Sequence, residues 1–90
     1  MPKISVIMGV YNGAKTIERA INSMLTQTMN DFELLICDDC STDDSVRIIK
    51  KYVDKDERIV LLKNQVNSGL AATLNKCIEA SHGEYIARMD

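Results

Sequence analysis

Apolar and polar positions follow two rhythms along this chain. Short, mostly apolar runs occur at Lys3 to Met8 (KISVIM), Leu34 to Cys37 (LLIC), Ile59 to Leu62 (IVLL) and Glu84 to Met89 (EYIARM). Bounded by polar punctuation, the first two read as strands buried on both faces of a sheet, the third as a short buried strand and the last as a fourth strand. Between them the apolar residues fall at helical spacing. Ile17, Ala20, Ile21, Met24 and Leu25 form one stripe, opposite Glu18, Arg19 and Asn22, which predicts a helix from Lys15 to about Gln27. Val46, Ile49 and Val53 mark a second helix, and Leu70, Leu74, Cys77 and Ile78 give the core face of a third.

The connections carry their own signals. Gly9 to Gly13 (GVYNG) and Asn64 to Gly69 (NQVNSG) read as loops, and Asn30 and Asp31 supply the turn into the strand that opens at Phe32. Ser41 or Thr42 is positioned to cap the second helix, with Asp43 and Asp44 in its first turn, and Ser68 to cap the third. Gly83 fits the position past a helix end where a positive φ is cheap. The order is β-α-β-α-β-α-β. Short connections and right-handed crossovers then predict an α/β fold: a parallel, Rossmann-like sheet with helices on both faces.

Ninety residues make one small domain with one modest core. A net charge of −2 argues against nucleic acid, which needs clustered Lys and Arg to neutralise phosphates. No apolar run approaches the roughly 18 residues of a membrane span, and Met1-Pro2-Lys3 leads into a strand instead of a signal sequence. With the odd set Cys37, Cys40 and Cys77, this predicts a soluble chain in the reducing cytoplasm. The last strand runs into a carboxylate, Asp90, with nothing to cover the sheet edge. Residues 1–90 therefore read as the front part of a longer domain, truncated after Asp90.

In open α/β sheets ligands bind outside the carboxyl ends of the strands. Polar groups are expected there from Tyr11 and Asn12 after the first strand, Asp38 and Asp39 after the second, and Asp90 after the fourth. Asn67 to Gly69 lead into a helix that can lean over the same crevice. An aromatic face beside a carboxylate suits a nucleobase. Uracil fits best, because its N3 proton is one that Asp39 can accept, whereas cytosine offers a lone pair there. Guanine also has a donor edge, so the choice between the two stays open.

The stretches SVIMGVYNG with INSMLTQT, DFELLICDDCSTDDS, NSGLAATLN and GEYIARMD, in that order, resemble the family-2 glycosyltransferases of the GT-A fold. The resemblance implies an inverting enzyme that transfers a sugar from a nucleotide-diphospho-sugar, a UDP-sugar by the argument above, to an acceptor hydroxyl. It assigns Tyr11 and Asp39 to the uracil. Asp90 matches the first acid of an Asp-x-Asp motif, which contacts ribose or sugar and helps organise a divalent metal, Mn²⁺ or Mg²⁺. The nucleotide-binding set is then Tyr11, Asn12, Asp38, Asp39, Asn67 and Asp90, with Asp90 also at the metal. No catalytic residue falls within residues 1–90. The second metal-binding acid, the general base and the site for a carbohydrate or lipid-linked acceptor would lie beyond Asp90. The fragment alone is thus expected to transfer no sugar and to hold no metal, and any membrane association is left to residues outside it. Gly9 stands where some relatives carry a hydroxyl, and no arginine near Gly69 meets the diphosphate.

Other readings attach to the same residues. Asp38 and Asp39 can form a strand-to-helix loop whose acids favour the following helix dipole, Tyr11 can pack over a strand end, and Asn12, Asn67 and Gly69 can be turn formers. Cys37 and Cys40 have redox spacing, and Cys77 and His82 would complete a zinc set; but Asp38 and Asp39 between the thiols oppose thiolate formation. A receiver-type phosphoacceptor signalling domain shares the alternating elements. It needs paired acids after the first strand and a target aspartate after the third, where this chain has GVYNG and KNQVN. Neither a Gly-x-Gly-x-x-Gly turn nor a Gly-Lys-Ser/Thr phosphate loop is present.

Overall fold

The computed structural model describes residues 2–27 and 30–89. Seven elements alternate: β1 (Ile4–Val10), α1 (Ile17–Leu25), β2 (Phe32–Asp38), α2 (Ser45–Lys55), β3 (Ile59–Lys63), α3 (Leu70–Ala80) and β4 (Tyr85–Arg88). The strands form one parallel sheet in the order β3-β2-β1-β4. The chain therefore steps outward from β1 through β2 to β3, and then returns through α3 to pair β4 with the other side of β1. That reversal of direction creates the crevice at the carboxyl ends of the strands.

β2 is the centre of the molecule. All seven of its residues are buried, since strands flank it on both sides and helices cover both faces. Leu34 and Ile36 join Val6, Met8 and Val10 of β1 under Ile17 and Ile21 of α1 and Ile48 and Ile49 of α2. Leu35 and Cys37 point the other way and pack with Ile7 and with Cys77 of α3. This period-2 division explains why β2 and β1 are mostly apolar, since their residues have a helix to face on either side, whereas the edge strand β4 is exposed along its length. Each such side chain contributes about 1.5–3 kcal/mol by leaving water. Among the described residues no helix is long and apolar enough to cross a membrane.

Several local expectations are corrected. β1 runs two residues further than Met8, so Gly9 pairs with Cys37 and Val10 with Asp38, and the loop shrinks to Tyr11, Asn12 and Gly13. A glycine suits that strand position because a Cβ there would lie 3.2 Å from Thr73 Cγ2 and 3.3 Å from Leu70 Cδ1 of α3. α2 starts at Ser45 with Asp44 at its cap position, so Ser41 and Thr42 do not cap it and the acids precede its first turn. α3 is capped at Gly69, with φ 90°, and not by Ser68. Its buried face is Thr73 and Cys77, while Leu70 and Ile78 are 55% and 43% exposed because they flank the line of contact with β1 and β2. Gly83 has no positive φ. It is required by proximity instead: a Cβ would sit 2.6 Å from Ser5 N and 2.8 Å from Ile4 C.

The amino end of the sheet is closed by a buried polar cluster. Ser5 Oγ donates to Glu33 Oε2 at 2.6 Å and accepts the Gly83 N–H at 2.8 Å. The His82 N–H also donates to Glu33 Oε2, and its ring Nδ1 lies 3.2 Å from Oε1. Burial works to raise the Glu33 pKa, but the bonds from Ser5 and His82 together outweigh it and hold the group below its ordinary 4.5. At the turn into β3, Arg58 pairs with Asp56 and lies 4.5 Å from the centre of the Phe32 ring, covering the start of β2.

Two outcomes follow from these contacts. Gly83→Ala forces a backbone atom to move and is expected to cost about 1–3 kcal/mol in urea unfolding, an unchanged midpoint being the contrary result. A carboxyl whose folded pKa is depressed stabilises above its unfolded value, 4.5 for Glu33, and loses that contribution as pH falls through the folded one. The melting-temperature advantage of the unsubstituted protein over Glu33→Gln is therefore expected at pH 6 and should shrink as the pH is taken below about 4.

Candidate functional site

The carboxyl ends of β1, β2 and β3 lie level, since Val10 pairs with Asp38 and Asp38 with Lys63. The residue after each strand is thereby delivered to one edge: Tyr11, Asp39 and Asn64. The Asp39 N–H donates to Val10 O at 2.7 Å and the Asn64 N–H to Asp38 O at 2.8 Å, carrying the ladder one step past the strands. Tyr11 and Asp39, 28 residues apart in sequence, line one solvent-open cavity of about 100 Å³ with Gly9, Val10, Leu70 and Thr73. Tyr11 is 54% exposed and Asp39 5%.

Asp39 is held from three sides. Its Oδ1 accepts Asn64 Nδ2 at 2.9 Å and the Ser68 N–H at 2.7 Å, and its Oδ2 accepts the Gly69 N–H at 2.9 Å. The Asn64 amide first, and then the Ser68 N–H, hold this carboxyl below its ordinary 3.8 against the opposing effect of burial. Asp39 is thus an anion whose charge is met by the amino end of α3. A carboxylate oxygen offers two lone pairs, so Oδ1 is filled and one acceptor position remains on Oδ2.

Asp38 and Asn12 serve the scaffold. The expectation that side chains at the end of β2 meet solvent is not met by Asp38, which is 2% exposed. Its carboxylate accepts the Ser41 hydroxyl at 2.5 Å and the Ser41 N–H at 2.9 Å. Asn12 adopts a left-handed φ of 51°, which an asparagine tolerates. Its Oδ1 accepts the Thr42 N–H at 2.8 Å, and its own N–H donates to Ser41 Oγ at 2.8 Å. Gly13 N–H to Ser45 Oγ, at 2.8 Å, and Ala14 N–H to Asp43 Oδ2, at 3.1 Å, complete the stitching of the Tyr11 loop to the loop after β2. Asn67 is exposed, one residue before the Ser68 N–H that reaches Asp39. Asp90 lies outside the described residues; β4 leads toward the same edge, with the Met89 N–H donating to Ile7 O at 2.9 Å.

Sequence reasoning missed Asn64 and Thr73. Asn64 directly follows an apolar run, the same signal that singled out Asp38 and Asp39, but it was absorbed into a loop. Thr73, 1% exposed, is a polar residue at a helix position four after the glycine that caps it, and its Oγ donates to Gly69 O at 2.7 Å.

The cysteines do not form a reactive set. Cys37 and Cys77 are buried, and burial pushes Cys37 up to about 11 and raises Cys77 as well, which keeps both as thiols. Among the described residues no cluster of three or more His, Cys, Asp or Glu is arranged around a metal position. Each of the four carboxylate oxygens of Asp38 and Asp39 already accepts an N–H or O–H. The cavity itself can take a flat, partly apolar group against Tyr11 and Leu70 and accept one N–H at Asp39.

The sequence model of glycosyl transferase family 2 matches residues 5–90. EpsE of Bacillus subtilis (strain 168), which carries a glycosyltransferase name, is 48% identical over 90 residues, 99% of this chain and 32% of that protein. The UDP-Glc:alpha-D-GlcNAc-diphosphoundecaprenol beta-1,3-glucosyltransferase WfaP of Escherichia coli is 41% identical over all of this chain and 35% of its own length. Among solved structures, S. aureus TarS 1-349 in complex with UDP superposes with a TM-score of 0.90 at 33% identity, over 98% of this chain and 27% of TarS 1-349. The chain spans about a third or less of the length of the curated relatives it matches. The parallel sheet with helices on both faces is the fold that the resemblance implied, and the receiver-type alternative is displaced. With a match from Ser5 to the last residue, the chain belongs to glycosyl transferase family 2.

Proposed function

We propose that this chain provides the donor-nucleotide site of a glycosyltransferase that moves a sugar from a UDP-sugar to an acceptor hydroxyl. The observation that carries the reading is the convergence of Tyr11 and Asp39 on one open cavity. In it the uracil ring lies on Tyr11 and its N3–H donates to the remaining acceptor position of Asp39. Stacking contributes about 1–3 kcal/mol per base, and the carboxylate adds selectivity for a ring that carries a proton at that position. Asp38 and Asn12 act by fixing the loops, Asn67 by shaping the β3–α3 turn, and Asp90 by contacting ribose.

Support comes from relatives in which the same region is present: TarS was crystallised with UDP, and WfaP is named for UDP-Glc and a lipid-linked acceptor. A mannosyltransferase from Pyrobaculum calidifontis, similar in fold at 24% identity with a TM-score of 0.87, was crystallised with GDP-Man and Mn²⁺. A divalent cation in the complete protein would neutralise the departing diphosphate. On this reading Asp90 stands beside it and the remaining ligands come from elsewhere in the complete protein. The acceptor is a carbohydrate or a lipid-linked sugar. On this reading the general base comes from elsewhere in the complete protein, and residues 1–90 act in donor recognition.

The test is calorimetric titration of UDP into the complete protein. Asp39→Asn should weaken binding by about tenfold or more, and Tyr11→Ala by about fivefold or more, with melting curves showing a retained fold. Affinity undiminished in both variants would overturn the reading.

A further inference from the structure

The cavity shared by Tyr11 and Asp39 narrows toward the amino end of the sheet. Gly9 precedes Tyr11 by two residues and lines the same cavity, so it lies deeper. α3 joins two parallel strands and therefore runs back across the sheet from Leu70 at the mouth, which puts Thr73 about one turn further in. Strand and helix meet at that inner end. From the point where a Gly9 Cβ would stand, the nearest atoms are Thr73 Cγ2 at 3.2 Å, Leu70 Cδ1 at 3.3 Å and Leu74 Cδ2 at 3.9 Å, all of them carbon. The Thr73 methyl cannot swing away. Its hydroxyl donates to Gly69 O at 2.7 Å and accepts Asn64 Nδ2 at 3.1 Å, and the residue is 1% exposed. With Oγ1 held on the helix backbone, the branched side chain keeps Cγ2 turned to Gly9.

We infer that the Thr73 methyl is a specificity-determining stop, which restricts the site to a pyrimidine without a substituent at C5 and so selects uracil over thymine. The inference rests on the base-recognition reading above. On that reading the N3–H of the ring donates to Asp39 and the N1 atom carries the ribose out through the mouth. In a pyrimidine C4 stands opposite N1 and C5 lies beside C4, away from N3. The C4–C5 edge therefore faces inward, and the C5–H meets the carbon-lined end. Thymine has the same N3–H and the same stacking face as uracil, so neither Asp39 nor Tyr11 tells the two apart. Its added methyl is directed at the place where even one carbon on Gly9 would crowd Thr73 and Leu70. Shape at the inner end then does what hydrogen bonding at Asp39 cannot.

The experiment is calorimetric titration of UDP and of 5-methyl-UDP, which differ by that one methyl, into the complete protein, unsubstituted and as Thr73→Ser. Serine keeps the hydroxyl that bonds Gly69 and Asn64 and removes Cγ2 alone. Because both nucleotides titrate the same folded molecules, the ratio of dissociation constants is insensitive to partial loss of fold. The unsubstituted protein is expected to prefer UDP by about tenfold or more, and Thr73→Ser by about threefold or less, through tighter binding of 5-methyl-UDP. Should Thr73→Ser fail to fold, Leu70→Ala removes the second carbon at the inner end from an exposed position and should lower the ratio in the same direction. Equal affinities in the unsubstituted protein, or an undiminished ratio in the variant that folds, overturn the stop. Base recognition survives either result if Asp39→Asn and Tyr11→Ala still weaken UDP. UDP affinity that neither of those substitutions lowers overturns the base reading, and the inference with it.

Discussion

A single carboxylate almost out of water, Asp39, ties together the end of the molecule where the strands finish. An anion that is 5% exposed must have its charge answered by groups of the protein, and these come from the two ends of one loop: Asn64 after β3, and Ser68 and Gly69 at the entrance to α3. Its own N–H meanwhile continues the ladder to Val10. The β3–α3 loop has no regular secondary structure and no large buried side chain to fix it. What holds it in place is the need of that one charge for donors. The same requirement leaves one lone pair over, and it belongs to a residue on the wall of a cavity.

The division of labour between the paired acids follows from this. Asp38 and Asp39 are neighbours in sequence, so they project to opposite sides of the strand end. Asp38 turns toward Ser41 and closes the turn out of β2, on the side of the Asn12 contacts. Asp39 turns toward α3 and the cavity. Two identical residue types thus face a turn and a cavity respectively, distinguished by which way the pleat sends them.

How much of this was legible beforehand depended on whether the cause was local. β1, β2 and the stripe of α1 were readable because their burial repeats with a fixed period, and the order of elements then restricted the sheet; in α2 the period found Ile49 but missed its buried neighbour Ile48. The ends of elements were not, because they are decided by partners distant in the chain. Ser41 looks like a helix cap from its neighbours and is a turn residue because of Asp38; Gly83 looks like a helix terminator and is needed because Ser5 passes close by. The apolar stripe of α3 was overread for a similar reason: Leu70 and Ile78 fit the period, but they flank the line along which Thr73 and Cys77 meet the sheet and stay exposed. In the site, Tyr11 and Asp39 were legible as strand-end residues. Asn64 obeyed the same rule and was overlooked because an amide is less conspicuous than a pair of acids.

The missing side chain at Gly9 has one more consequence. Its hydrogen faces the Thr73 methyl and the Leu70 tip with room for little else, so the floor of the cavity is as deep as backbone can make it. A single carbon there would lift the floor and press α3 outward. Position 9 is therefore the depth gauge of the pocket, a place where exchanging one small residue resizes the recess while Tyr11 and Asp39 keep their stations.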